Sequence, residues 1–77
     1  MNVLVYTKDQ CPFCVRAKMM LDIKGIPFTE TVIGQDILRE DFIELFPEQK
    51  TVPLIIIDGV KIGGYEDLRQ YFDDRQP

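Results

Sequence analysis

A chain of 77 residues has room for one domain, so residues 1–77 read as a single unit with a small core. Its 45% hydrophobic and 29% charged residues are those of an ordinary soluble globular protein rather than a disordered or fibrous one. A net charge of −4 excludes the broad basic face of a general nucleic-acid binder, and no apolar run reaches membrane-spanning length. There is no histidine, which rules out Cys-His and Ser-His catalytic pairs. Met1 leads straight into an apolar segment without a basic leader, and the expectation is a cytoplasmic protein. In such a reducing compartment two cysteines point to catalysis or metal more than to a structural staple.

In chain order, residues 2–7 (Val3-Leu4-Val5-Tyr6 at their centre) read as a buried strand. The loop Thr7-Lys8-Asp9-Gln10 leads to Cys11-Pro12-Phe13-Cys14 and a helix over 12–24, with Pro12 at its first position. Cys14, Ala17 and Leu21 mark its buried face, with Met20 beside them, while Arg16, Lys18 and Lys24 read as a solvated face. Gly25 and Pro27 stop it, and residues 28–33 form a second strand, parallel to the first by the length of the crossover. Asp36 is the expected N-cap of a second helix over 37–46, with Leu38, Phe42, Leu45 and Phe46 inward. Pro47 ends that helix. Pro53 opens an apolar strand through Ile57, patterned as a central strand covered on both faces. Asp58-Gly59 is a tight hairpin turn, so residues 60–62 return antiparallel. After Gly63-Gly64, a last helix presents Leu68, Tyr71 and Phe72 on its apolar stripe. The order β-α-β-α-β-β-α predicts an α/β fold, one mixed four-stranded sheet with helices on its faces. It brings the starts of the first and third helices and the Val52-Pro53 turn to one rim as candidates for a site.

The chemistry concentrates in Cys11 and Cys14. Cys11 stands where free N–H groups and the helix dipole favour negative charge, so its thiolate forms readily, and the thiolate is the nucleophile. Cys14 lies one turn on, within reach of a disulfide. Residues 1–25 carry a net +2 against −6 for the rest, which suits a thiolate and an anionic substrate. The rival readings are a zinc half-site, which has only two sulfurs and no histidine to complete it, and an inert buried pair. The strand-then-helix context favours the redox reading. Two further constellations stand out. Thr51-Val52-Pro53 either simply starts a strand or, with a cis bond, turns the Val52 N–H and C=O toward a peptide-like substrate. Gly63-Gly64-Tyr65-Glu66-Asp67 is either a turn or a close approach of backbone N–H groups to a carboxylate. Phe13 is a candidate apolar wall over the sulfurs, and Lys8 a candidate contact for an anion.

With Lys8 ahead of Cys11-Pro12-Phe13-Cys14, then Gln49-Lys50-Thr51-Val52-Pro53, then Gly63-Gly64-Tyr65-Glu66-Asp67, the chain resembles a small dithiol glutaredoxin of the thioredoxin superfamily nearly end to end. The resemblance implies a thioredoxin-like fold, a cis Val52–Pro53 bond and a glutathione groove. In that groove Lys8 and Gln49 would hold the glycine carboxylate, and Val52, between Thr51 and Pro53, would pair with the cysteinyl backbone. Beyond Gly64, the N–H groups of Tyr65 and Glu66 and the Asp67 side chain would hold the γ-glutamyl end. Cys11 would be the nucleophile and Cys14 the resolving thiol, with glutathione as electron donor and no metal required. Partners would be glutathionylated or disulfide-bearing proteins, a ribonucleotide reductase among them, met by a monomer. Phe13 stands where the family most often has tyrosine, and Tyr65 and Glu66 are bulkier than the residues common after the glycine pair. Two alternatives accompany this reading. One is a redoxin driven by thioredoxin reductase without glutathione. The other is a [2Fe–2S] carrier using Cys11 of two chains and two glutathiones, which Pro12 disfavours on the family pattern.

Overall fold

The computed structural model describes residues 1–75. Its elements run β1 (Val3–Thr7), α1 (Pro12–Ile23), β2 (Thr29–Val32), α2 (Arg39–Leu45), β3 (Leu54–Ile57), β4 (Val60–Gly63) and α3 (Tyr65–Arg75). The strands form one mixed sheet in the order β2-β1-β3-β4. β1 runs parallel to β2 and antiparallel to β3, and β3 pairs antiparallel with β4. This is the mixed four-stranded sheet expected from the chain, with β3 inside it as its apolar run predicted.

Alternation along β1 builds two layers. Val3 and Val5 point into a core completed by Ala17 and Leu21 of α1, Ile55 and Ile57 of β3, and Leu68 and Phe72 of α3. Tyr6 points to the opposite face, where its ring lies 5.3 Å from those of Phe42 and Phe46. Helices α1 and α3 therefore cover one face and α2 the other. Fully burying a side chain such as Leu21 or Leu68 contributes roughly 1.5–3 kcal/mol, and both are 0% exposed. The β3–β4 turn takes positive φ at Asp58 (51°) and Gly59 (81°), as a tight two-residue hairpin requires. The Asp58 carboxylate also accepts the Asn2 N–H at 2.7 Å, pinning the turn to the start of β1.

Helix α2 departs from expectation. It begins at Arg39 with Leu38 at the cap position and no side-chain cap. The Asp36 carboxylate instead accepts the Val32 N–H at 2.9 Å and closes the turn after β2. Gly34, at φ 94°, reverses the chain there, and Ile33 and Ile37 form an isolated parallel bridge. With its first turn used up in this way, the helix keeps seven residues. Leu38 and Leu45, expected inward, are 60% and 59% exposed, and only Phe42 is buried on this helix.

A half-buried link joins α1 and β1 to β2. The Thr7 hydroxyl donates to the Glu30 carboxylate at 2.7 Å, and the Lys18 ammonium donates to the same oxygen at 2.9 Å. The Lys18 bond first, then the Thr7 bond, holds the Glu30 carboxyl below its ordinary value. Lys18 is thus no free member of a solvated face. Arg16 and Lys24 lie 5.1 and 5.0 Å from the ring centres of Phe13 and Phe72, each with an aromatic face as partner.

The sheet register fixes the rim. Tyr6, near the end of β1, pairs with Leu54 at the start of β3, and Gly63 at the end of β4 pairs with Ile55. The loop into α1, the Val52-Pro53 turn and the start of α3 consequently emerge at the same edge.

Candidate active site

Cys11 caps α1. Its backbone is extended (φ −120°, ψ 99°), Pro12 follows at the first helical position, and the Cys14 N–H donates to the Cys11 sulfur at 3.2 Å. That donor and the helix dipole both favour negative charge on this sulfur in the reduced form. The two cysteines are joined as a disulfide with Cα atoms 5.2 Å apart. Cys11 retains 8% exposure and Cys14 2%, so both residues are buried and Cys11 is the more accessible.

The facing wall comes from the turn before β3. The Val52–Pro53 peptide bond is cis, and the Val52 carbonyl oxygen lies 3.7 Å from the Cys11 sulfur. Pro53 is buried and Val52 half-buried. The start of α3 abuts this turn: a Cβ on Gly64 would stand 3.7 Å from the Pro53 carbonyl oxygen. Gly63 takes φ 123°, a conformation that favours glycine, and a Cβ there would displace the Asp67 side chain. The Asp67 carboxylate accepts the Gly64 N–H at 2.9 Å, a cap on the first turn of α3.

A cleft of about 400 Å³ opens between these parts. Thr51, Val52 and Pro53 line one side, Gly64, Tyr65, Glu66 and Asp67 the other, and Phe13 the end nearest the disulfide. The Phe13 and Tyr65 rings, both lining this cleft, lie with centres 6.1 Å apart.

Lys8 and Gln49 lie elsewhere. They line a second cleft of about 370 Å³ on the far side of Thr51 and Val52, which are common to both. The Gln49 amide donates to the Thr51 carbonyl at 2.8 Å, so it is engaged with its own segment. Sequence reasoning missed three further features here. Arg39 and Lys50 join Lys8 around the second cleft, and Ile33 and Ile43 form part of its apolar lining. The Gln35 amide bonds both Asp9 carboxylate oxygens, at 3.1 and 3.2 Å, tying the cysteine loop to the turn after β2. The one available signal was the presence of bases in an otherwise acidic half of the chain.

Comparison with known proteins identifies the family. The glutaredoxin family model matches residues 3–62. Glutaredoxin 3 of Escherichia coli is 47% identical over 68 residues, covering 87% of this chain and 81% of that protein. The chain belongs to the glutaredoxin family. The hybrid peroxiredoxin hyPrx5 of Haemophilus influenzae is 38% identical over 71 residues, which are 92% of this chain but 29% of that protein. Among solved structures, glutaredoxin 1 of Francisella tularensis, complexed with cacodylate, matches at TM-score 0.79 and 34% identity over 95% of this chain and 93% of that one. A buckwheat glutaredoxin–glutathione complex matches at TM-score 0.78 and 26% identity over 94% and 68%. Family and geometry agree on the chemistry: this glutaredoxin is a thiol–disulfide oxidoreductase whose redox pair is Cys11 and Cys14. Among the described residues, no helix is long and apolar enough to cross a membrane.

Proposed function

We propose that residues 1–77 form one glutaredoxin domain that reduces glutathione mixed disulfides and protein disulfides with glutathione as electron donor. The observation that carries this reading is the placement of the Cys11 sulfur, at a helix N-terminus and 3.7 Å from the Val52 carbonyl, beside a cleft bounded by the start of a second helix. Val52 offers backbone to a cysteinyl residue as a strand would, and the start of α3 offers N–H groups to the γ-glutamyl carboxylate. Thr51, Pro53, Gly64, Tyr65 and Glu66 shape the same groove, Asp67 faces the γ-glutamyl ammonium, and Phe13 covers the sulfur end. Lys8 and Gln49 take the glycine carboxylate across the Thr51–Val52 wall, for which Gln49 exchanges its Thr51 bond. The match to a glutaredoxin solved with glutathione supports glutathione as the ligand.

In the monothiol reaction the Cys11 thiolate attacks the glutathione sulfur of a mixed disulfide. The substrate sulfur leaves as thiolate and takes a proton, and Cys11 is glutathionylated. A second glutathione thiolate attacks the glutathione sulfur, forming glutathione disulfide and returning the Cys11 thiolate. With a protein disulfide, Cys11 forms the mixed disulfide and Cys14, losing its proton, displaces the second substrate sulfur. The substrate gains two electrons and two protons, and the Cys11–Cys14 disulfide remains for glutathione to reduce. The setting is the cytoplasm, the working form a monomer, and the partners glutathionylated or disulfide-bearing proteins, a ribonucleotide reductase among them.

A coupled assay on a glutathione mixed disulfide of a small thiol tests the donor. Turnover with glutathione and its reductase, and none with thioredoxin reductase alone, is the expected result. Turnover only with thioredoxin reductase would remove glutathione from the account. A brown protein as purified, with cluster absorbance and no turnover, would point to a glutathione-ligated [2Fe–2S] carrier.

A further inference from the structure

The second cleft has a charge that the molecule as a whole does not. Lys8, Arg39 and Lys50 line it and no acidic residue does, in a chain of net charge −4. Among the described residues the ion pairs are Lys18 with Glu30 and Arg69 with Glu66, so none of these three bases has one. Beneath them Ile33, Phe42 and Ile43 give the cleft an apolar floor, with Ile43 47% exposed. The glutathione assignment uses only Lys8 and Gln49 from this side. Arg39, brought in by α2, and Lys50, on the approach to β3, have no role in it.

The position of the cleft matters as much as its charge. Its inner wall is Thr51 and Val52, and the Val52 carbonyl is 3.7 Å from the Cys11 sulfur. Because Val52 lines both clefts, a polypeptide whose disulfide meets Cys11 and whose backbone lies along Val52 has a path into this one. On the proposed glutathione reading, a tripeptide reaches only the Lys8 and Gln49 part of it. A protein substrate continues.

We propose that the cleft docks an acidic segment flanking the disulfide of a protein substrate. Carboxylates of that segment face Arg39, Lys50 and Lys8, and an apolar side chain between them rests on Ile33, Phe42 and Ile43. This inference rests on the thiol–disulfide reading and adds to it the class of protein substrate. Exposed charges contribute little singly, but three of one sign around a concave surface raise the encounter rate of an oppositely charged chain. The redox step is the one given above. Cys11 displaces one substrate sulfur and Cys14 the other, and glutathione restores the dithiol.

Two cystine peptides test it, alike except that one has Asp and Glu on both flanks and the other Asn and Gln. Their reduction is compared for the wild type and for the Arg39→Ser/Lys50→Ser double variant, alongside turnover of a small glutathione mixed disulfide. Binding of the acidic peptide with serine in place of both cysteines is read by fluorescence anisotropy. The wild type is expected to reduce the acidic peptide on the order of tenfold faster at low salt, with the advantage shrinking as salt screens it. The double variant loses that advantage and the binding, and keeps wild-type turnover of the small mixed disulfide. Equal rates for the two peptides, or a preference that survives in the variant, would overturn the proposal. An equal loss of small mixed-disulfide turnover in the variant would also overturn it, by assigning the bases to the glutathione groove. If the inert peptide bound to the wild type while no disulfide was reduced, docking would stand and the redox reading would fall.

Discussion

The Asp67 carboxylate serves the fold and, on the proposed reading, the ligand. It accepts the Gly64 N–H at 2.9 Å, and in the glutathione groove it also faces an ammonium group. Asp67→Ala removes both roles and is expected to cost about 1 kcal/mol of stability, the usual cost of a lost cap. It should also raise KM for glutathione with kcat little changed. Asp67→Asn keeps an acceptor oxygen, so it should recover most of the stability and leave KM raised. Thermal unfolding and steady-state kinetics on both variants check this pair of outcomes. At the same scale, Cys11-Pro12-Phe13-Cys14 was legible because everything that defines it is local: a strand, a proline at a helix start and one turn of spacing. The Gln49 amide was not, since its bond to the Thr51 carbonyl depends on how the chain folds back two residues on. Nor was Lys18, whose partner Glu30 lies across the whole crossover.

Among elements, the α1–β2 link responds to pH. Glu30 has a lowered pKa in the folded protein because Lys18 and Thr7 bond its charged form. A depressed carboxyl contributes stability that is fully present above its unfolded value and is lost as pH falls through the folded one. The loss therefore begins near the ordinary value of 4.5 and is complete below the native one. Denaturant unfolding as a function of pH should show a steeper acid limb for the wild type than for Glu30→Gln. Matching limbs would mean that the link adds nothing to stability. The elements themselves were largely legible from period and punctuation. Short apolar runs marked β1 and β3, and Asp58-Gly59 marked the hairpin. Helix α2 was misread at its start because Asp36 is an equally good turn residue, and here it closes the turn after β2. Its outward leucines follow from that shift.

Across the whole molecule, one small core holds three separate loops at one edge. Leu68 is 0% exposed in that core and stands on the helix whose first turn bounds the cleft. Leu68→Ala is expected to cost roughly 2–5 kcal/mol, a large part of the stability of so short a chain, as read by denaturant unfolding. The mixed four-stranded sheet and the meeting of the three loops were legible from the hairpin and the crossover, which leave few topologies open, whereas the strand order β2-β1-β3-β4 came from the structure. The second cleft was not legible either, because its lining comes from four separated stretches of chain. The two sulfurs divide the labour, and Cys11→Ser and Cys14→Ser, compared on a glutathione mixed disulfide and a protein disulfide, separate their roles. Cys11→Ser is expected to abolish both reactions. Cys14→Ser should retain mixed-disulfide reduction and lose most protein-disulfide reduction. Equal loss of both reactions in Cys14→Ser would contradict this division.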